Sequence, residues 1–401
     1  MRIAIMSDES LPLGTRVHAK MIHELALEFQ RKNHTPVVIT PGSPNQSIAL
    51  VIDFVGGVEY WRFRSGYTRG VGMLRRLINE FLLSFRAWQA IASQVKKTPF
   101  ELCICYCPTI FFAPLSRKFK ARGAYVYLIQ RDMFPQWAVD RGLLHKNSPL
   151  LLFLRYYEKL NYRIADWIGV QSEKNQIIFS KRFPRLSNVS VLMNWSAMSP
   201  PVEKYRSDDI RVRLNLVDKV VFFYGGNTGY AQDMANVMRL ARNLRGYKTA
   251  HILIVGQGDE YKLITDLVVE WKLENVTILP AVSQSEFLNF LGAVDVGLFS
   301  LSKEHTAHNF PGKILGYMSA SLPILGSVNP GNDLLPLLNE AGAGCVYVNG
   351  EDVLLAEAAL KLLECETLRL SLGARANSLL VEEFSVESAA MGIISKVNSE
   401  I

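Results

Sequence analysis

Two series of short apolar strands alternating with amphipathic helices, interrupted once, constrain this chain more than any other feature. Arg2 to Asp8 reads as a strand, Arg16 to Arg31 as a helix with one apolar face, and Pro36 to Pro41 as a second strand. Further strands are expected at 101–107, 124–129, 166–171 and 188–193, with helices at 72–97, 109–122, 149–165 and 173–183. From Asn194 to Arg213 the periodicity stops among Ser196, Ser199, Pro200, Pro201 and Ser207-Asp208-Asp209. A second series follows, with strands at 219–224, 250–255, 276–279 and 294–298 and helices at 233–246, 259–271 and 284–291. Alternation of this kind builds parallel sheets covered on both faces. At 401 residues the chain exceeds the roughly 250–300 at which a single core stops growing. The expected architecture is therefore α/β, with a doubly wound domain over 1–195, a linker over 196–215 and a second domain over 216–385. Residues 351–378 and 386–398 read as helical, the last of them inside a closing segment of 386–401.

Hydrophobic residues make up 49% and charged residues 20%, which excludes a disordered chain and supplies apolar material for two cores. No run reaches the roughly 18 apolar residues of a membrane-spanning helix. Met1 to Met6 leads into Ser7-Asp8-Glu9 rather than a secretory signal, so a cytoplasmic location is expected. The net charge of +7 conceals an asymmetry: residues 1–195 hold 27 Lys and Arg against 13 Asp and Glu, and the remainder holds 17 against 24. Such an excess suits a polyanionic surface. Between 61 and 97, Trp61, Arg62, Phe63, Arg64, Tyr67, Arg69, Arg75, Arg76, Phe81, Phe85, Arg86, Trp88, Lys96 and Lys97 mix aromatics with cations. This favours an anionic membrane surface over nucleic acid as the partner. Cys103, Cys105 and Cys107 share one face of a strand, which is poor geometry for zinc and fits reduced core thiols. His305, His308 and Glu304 make no metal set either.

The chemistry concentrates at 308–326. Pro311 and Gly312 suit the first turn of a helix, Lys313 adds a cation, and Pro323-Ile324-Leu325-Gly326 reads as the next buried strand. A loop of this type at the carboxyl end of a parallel sheet binds a diphosphate. Gly225-Gly226-Asn227-Thr228-Gly229 follows the first strand of the second domain and lets backbone approach a pyrophosphate, with Asn227 and Gln232 as neighbouring polar groups. Gly256-Gln257-Gly258 forms a second glycine turn. In the first domain, Asp132 of Gln130-Arg131-Asp132 ends a parallel strand, where proton transfer or hydroxyl recognition is possible. Gly14-Thr15-Arg16 ends the first β-α loop, and His18 lies one turn on.

The segment 308–326, with Gly225–Gly229, Val255–Gly258 and the run from Leu279 to Leu301, resembles glycosyltransferase family 4, whose members have the GT-B fold. In that fold two Rossmann-like domains face one another. The nearer resemblance is to bacterial transferases of O-antigen and capsule assembly that pass an N-acetylated 6-deoxy amino sugar, such as L-fucosamine, to a lipid-linked acceptor.

The resemblance implies a UDP-sugar donor held by Gly225, Gly226, Asn227, Gly256, Gly258, Pro311, Gly312 and Lys313, without a metal. It implies an undecaprenyl-diphosphate-linked acceptor met by Gly14, Thr15, Arg16 and Arg131. Asp132, His18 and His308 are the catalytic candidates. Two glutamates usual in the family are replaced here by His308 and Gly316, and Glu340 is a candidate to replace the carboxylate that Gly316 lacks. A UDP-sugar 2-epimerase of the same fold and a non-catalytic membrane-bound assembly partner are the alternatives.

Overall fold

The computed structural model describes the chain except for residues 13–16, 69–70, 108, 132–133, 141, 143, 198–207, 305–309 and 400–401. Two compact units result, one of Met1–Ala197 with Val386–Ile401 and one of Met198–Ser385. The helix Val386–Asn398 thus belongs to the first unit. Its Ala390, Ile393 and Val397 are fully buried with Ile22, Leu25 and Phe29 of the helix Val17–Arg31.

The first unit is built on an eight-stranded sheet. Its strands are β1 (Arg2–Met6), β2 (Thr35–Pro41), β3 (Leu50–Val55), β4 (Val58–Phe63), β5 (Leu102–Cys107), β6 (Tyr125–Gln130), β7 (Trp167–Val170) and β8 (Val189–Val191), in the order 3-4-2-1-5-6-7-8. All neighbours are parallel except β3 and β4, an antiparallel hairpin that the sequence reading omitted. Its turn is Gly56-Gly57, with φ of 56° and 86°, a conformation that glycine adopts without steric cost. β1, β2, β5 and β6 are almost wholly buried, because helices cover both faces of the sheet. Cys103, Cys105 and Cys107 are free thiols in that core, and burial pushes the Cys105 thiol up to about 12.

The single helix expected over 72–97 is two, Met73–Phe81 and Leu83–Lys97, joined at Leu82, whose backbone stays right-handed. Trp61 and Phe63 are core residues rather than surface ones. Arg62 is also buried: its guanidinium donates to Asp53 at 2.9 Å, to the Ser10 hydroxyl at 2.8 Å and to the Leu11 carbonyl at 2.6 Å. The aromatic-cationic mixture of 61–97 is therefore divided between core and surface.

The helix Pro149–Ile164 is capped by Ser148, whose hydroxyl accepts from Leu151 N, with Pro149 in the first turn where its missing N–H costs nothing. Its Glu158 is buried between Arg155 and Arg182, at 2.9 and 3.1 Å, with the Tyr162 hydroxyl nearby. Burial raises this carboxyl from 4.5 to about 7, the two arginines notwithstanding. The folded state then holds a proton that the unfolded chain releases between those values, so stability falls as pH rises through that window. Glu158→Gln is expected to flatten this fall, read as the melting temperature of the first unit from about pH 5 to about pH 7.5. Equal slopes in both proteins would exclude Glu158 as its source.

The second unit carries β9 (Val220–Asn227), β10 (Ala250–Gln257), β11 (Val276–Leu279), β12 (Val296–Ser300), β13 (Ile324–Val328) and β14 (Gly344–Val348), all parallel, in the order 11-10-9-12-13-14. The sequence reading placed the first five to within a few residues and missed β14 and the helix Leu334–Glu340 before it. The expected linker is shorter than proposed. Asp208–Arg213 is a helix of the second unit, fastened by Arg211 to the Ala293 and Lys219 carbonyls and, at 2.7 Å, to Asp295. The run 351–378 is likewise two helices, Asp352–Glu364 and Glu366–Glu383, parted at the extended Cys365.

Candidate functional site

Three stretches converge at the carboxyl edge of the second sheet: the end of β9, the end of β10 and the start of the helix Lys313–Ser319. β9 and β10 run in register to their last residues, Gly226 beside Gly256 and Asn227 beside Gln257. A Cβ on Gly256 would lie 1.9 Å from the Gly226 carbonyl oxygen, and one on Gly258 2.6 Å from the Thr228 carbonyl carbon. Both positions therefore need glycine to let the two backbones meet. Gly226 has φ of 114°, outside the range of ordinary side chains, and faces the end of Lys313, with its Cβ position 3.7 Å from Cε.

Lys313 is the centre of this cluster. Its Nζ lies 3.3 Å from the centroid of the Tyr224 ring, is buried, and has no hydrogen-bond partner among the described residues. Burial pushes its pKa well below the ordinary 10.5. The cation–π contact offsets only part of the desolvation, about 2 kcal/mol at a dry site. A buried polar group left unpaired in a folded protein marks a place where a ligand completes the structure. For an ammonium that ligand is an anion.

The surrounding side chains are fixed by hydrogen bonds. The Tyr224 hydroxyl donates to the Asn227 carbonyl at 2.7 Å. The Tyr317 hydroxyl accepts from Gly225 N at 3.1 Å and faces the Phe223 and Leu298 carbonyls at 3.2 and 3.0 Å, tying β9, β12 and the Lys313 helix together. Burial raises both phenols, so they stay protonated. Neither tyrosine was singled out from the sequence; Tyr224, directly before the double glycine at a strand end, was the available signal. Glu260, also missed, accepts from Met234 N at 2.7 Å and caps the helix Met234–Leu244 in place of Asp233, whose left-handed backbone gives no side-chain cap.

Several sequence candidates take different roles. Asn227 and Gln232 bond to each other at 2.9 Å, and Gln232 also accepts from Gly229 N, so their amides brace the loop instead of standing ready for phosphate. Pro311 and Gly312 are half-buried at the start of the helix, Gly312 in right-handed backbone. Gly316, one turn beyond Lys313, faces an apolar pair, with its Cβ position 3.6 Å from Phe287 and 3.5 Å from Leu291.

Glu340 cannot replace a carboxylate there. It ends the helix Leu334–Glu340, and Ala343, three residues on, bonds Ile324 N, the first residue of β13. Glu340 therefore sits at the amino edge of the sheet, opposite Lys313, exposed to solvent. His308 lies outside the described residues. Among the described residues no cluster of three His, Cys, Asp or Glu could hold a metal ion.

In the first unit, Gly14, Thr15, Arg16 and Asp132 lie outside the described residues. Arg131 is not available to an acceptor in the manner expected. Its guanidinium donates to the Leu192 and Met193 carbonyls at 2.6 and 3.1 Å and stacks over Trp195, which makes it a tie beyond the end of β8. His18 is better placed. Its ring stacks on Tyr106, with centroids 5.4 Å apart, and its Nε2 lies 3.4 Å from Asp8 and 3.8 Å from Glu9. Its Nε2 makes no hydrogen bond among the described residues, so the two carboxylates lie beside the imidazole without fixing it.

Residues 218–365 match the family model described as glycosyl transferases group 1. Among curated proteins, the "Probable glycosyltransferase WbjE" of Pseudomonas aeruginosa is 24% identical over 266 residues, 66% of this chain and 66% of that protein, slightly less than two thirds. Among solved structures, WaaG, a glycosyltransferase involved in lipopolysaccharide biosynthesis, superposes with a TM-score of 0.65 at 13% identity, covering 98% of this chain and 99% of that one. Anabaena Alr3699/HepE, solved in complex with UDP, gives a TM-score of 0.67 at 15% identity over the whole of both chains. With two Rossmann-like units of parallel sheet, the chain has the GT-B fold, and its residues 218–365, less than half of its length, are similar to the glycosyl transferases group 1.

Proposed function

We propose that this protein is a hexosyltransferase that moves a sugar, such as an N-acetylated 6-deoxy amino sugar of the L-fucosamine type, from a UDP-sugar to a lipid-diphosphate-linked acceptor in O-antigen or capsule assembly. The observation that carries the reading is the buried, unpartnered Lys313 ammonium beside the glycine-lined ends of β9 and β10. An ammonium held there in advance stabilises the diphosphate that leaves as the sugar acquires oxocarbenium character, and costs no reorganisation at that moment. In this reading Lys313 meets the charge on the leaving group and no metal is required. HepE, similar in fold, was solved with UDP, and WaaG, also similar in fold, is a glycosyltransferase involved in lipopolysaccharide biosynthesis.

The acceptor falls to the first unit, where His18, flanked by Asp8 and Glu9, is the group able to take a proton from an acceptor hydroxyl if the reaction inverts configuration. Among the described residues no helix is long and apolar enough to cross a membrane. The proposal places the protein on the inner face of the cell membrane, held by its basic first unit through the exposed part of the 61–97 segment.

A thermal-shift panel of UDP-, GDP- and CMP-sugars tests the donor. A ligand at about one hundred times its Kd stabilises the folded state by about 2.7 kcal/mol, so UDP compounds are expected to raise the melting temperature by several degrees. A response confined to GDP- or CMP-sugars would replace the donor, and no response to any would favour the non-catalytic reading.

A further inference from the structure

The sequence reading assigned membrane contact to 61–97, yet Trp61, Arg62 and Phe63 are buried. What remains outside is a stripe. Leu74, Ile78, Phe81 and Phe85 recur at intervals of four, three and four residues along the nearly continuous helices Met73–Phe81 and Leu83–Lys97, and all four are exposed, Leu74 by 71% and Phe85 by 60%. An apolar stripe at helical spacing ordinarily turns inward. This one turns outward, while Leu83, Ala87 and Ile91 of the second helix fill the core.

A second outward stripe lies on the helix Pro149–Ile164, which the sequence reading treated as an ordinary covering helix. Leu152 is 69% exposed and Tyr156 59%, with Phe153 between them. The two stripes are joined: the Phe81 and Phe153 rings are 5.7 Å apart, and both contact Phe111 and Tyr157 beneath. Exposed apolar surface of this extent marks an interaction site.

Charge identifies the occupant. Arg75 and Lys159 are exposed around the stripes, with Arg86 partly so. The nearby carboxylates are already neutralised, Glu80 by Arg76 at 2.7 Å and Glu158 by Arg155 and Arg182. An apolar, aromatic surface rimmed by uncompensated cations matches the headgroup zone of an anionic lipid leaflet, with the rings at the acyl boundary and the arginines at the phosphates.

We propose that the outward faces of Met73–Phe81 and Pro149–Ile164, bridged by Phe81 and Phe153, form one bipartite docking face for an anionic lipid bilayer. The proposal deepens the membrane part of the functional reading and is independent of its donor.

Sedimentation of the full chain with vesicles of phosphatidylcholine alone, or mixed with phosphatidylglycerol, tests it without nucleotide or acceptor. The mixed vesicles are expected to bind more tightly, the more so at low salt. The double substitution L152S/Y156S is expected to weaken binding about tenfold, as is L74S/I78S, because each removes two of the seven apolar side chains of the face. Both variants should keep the wild-type melting temperature and the wild-type response to UDP.

Three results would overturn the proposal: wild-type protein that ignores both vesicles, an L152S/Y156S variant that binds as wild type does, or self-association abolished by these substitutions in the absence of vesicle binding. The last would make the face a contact between two copies. Vesicle binding without any UDP response would instead refute the donor reading and leave the docking face standing.

Discussion

Replacing Lys313 by methionine raises the melting temperature of the unliganded second unit and removes its response to UDP. The first effect follows from the unpaired ammonium. Burying it costs several kcal/mol, of which the Tyr224 ring returns a part, whereas methionine fills similar volume without charge. A net gain of about 2 kcal/mol corresponds to roughly 4–8 °C for a domain of this size.

The pH dependence has a definite sign. Because the folded-state pKa is depressed, the unfolded chain binds the extra proton, and wild-type stability rises with pH between the lowered value and 10.5. The advantage of methionine is therefore fully present below the folded pKa and fades as pH rises, which melting curves at about pH 6 and about pH 9 would register. A Lys313→Met protein that melts below wild type at both pH values would mean that the ammonium stabilises the fold by itself. In that case no anion is needed to complete the site.

Gly256→Ala is expected to cost about 3 kcal/mol or more and to weaken UDP binding at the same time. Its methyl group would meet the Gly226 carbonyl oxygen at 1.9 Å, and backbone cannot yield as the end of a side chain can. Separating β10 from β9 there also displaces Gly226 from Lys313. Gly316→Ala makes the informative contrast. Its methyl group falls at ordinary contact distance from Phe287 and Leu291, and alanine favours the helix over glycine by roughly 0.5–1 kcal/mol. The alanine variant is expected to be as stable as wild type or more so and to retain UDP. Chemical denaturation with UDP titration on both variants separates the cases. Loss of UDP in a well-folded Gly316→Ala protein would show that the ligand itself occupies the space beside Phe287.

Most of the fold was legible because burial writes itself into short runs. β5, β6, β9 and β10 are nearly continuous apolar stretches, as strands buried on both faces must be. The hairpin of β3 and β4 was also written, in Gly56-Gly57 between alternating segments, and went unread. β14 was harder, since Gly344–Val348 carries only a short apolar pattern after a short helix with Pro336 in its first turn.

Of the site, the sequence exposed the glycines and the lysine but not their mutual geometry. That Lys313 lies on Tyr224 instead of reaching into solvent depends on β9 and a helix about ninety residues further on meeting at one sheet edge. The same long-range topology puts Glu340 at the wrong edge and spends the Arg131 guanidinium on the Leu192 and Met193 carbonyls, neither of which local pattern reveals. The helix breaks at Leu82 and Cys365 carry no Pro or Gly and were invisible for that reason.

The central claim is that Lys313 receives the second phosphate of a uridine nucleotide. Calorimetric titration of wild type and Lys313→Met with UDP and with UMP tests it most directly. The account predicts that wild type prefers UDP to UMP by about tenfold or more, the worth of one charge-assisted hydrogen bond at a buried site, and that the variant binds the two alike. An undiminished preference for UDP in Lys313→Met would contradict it.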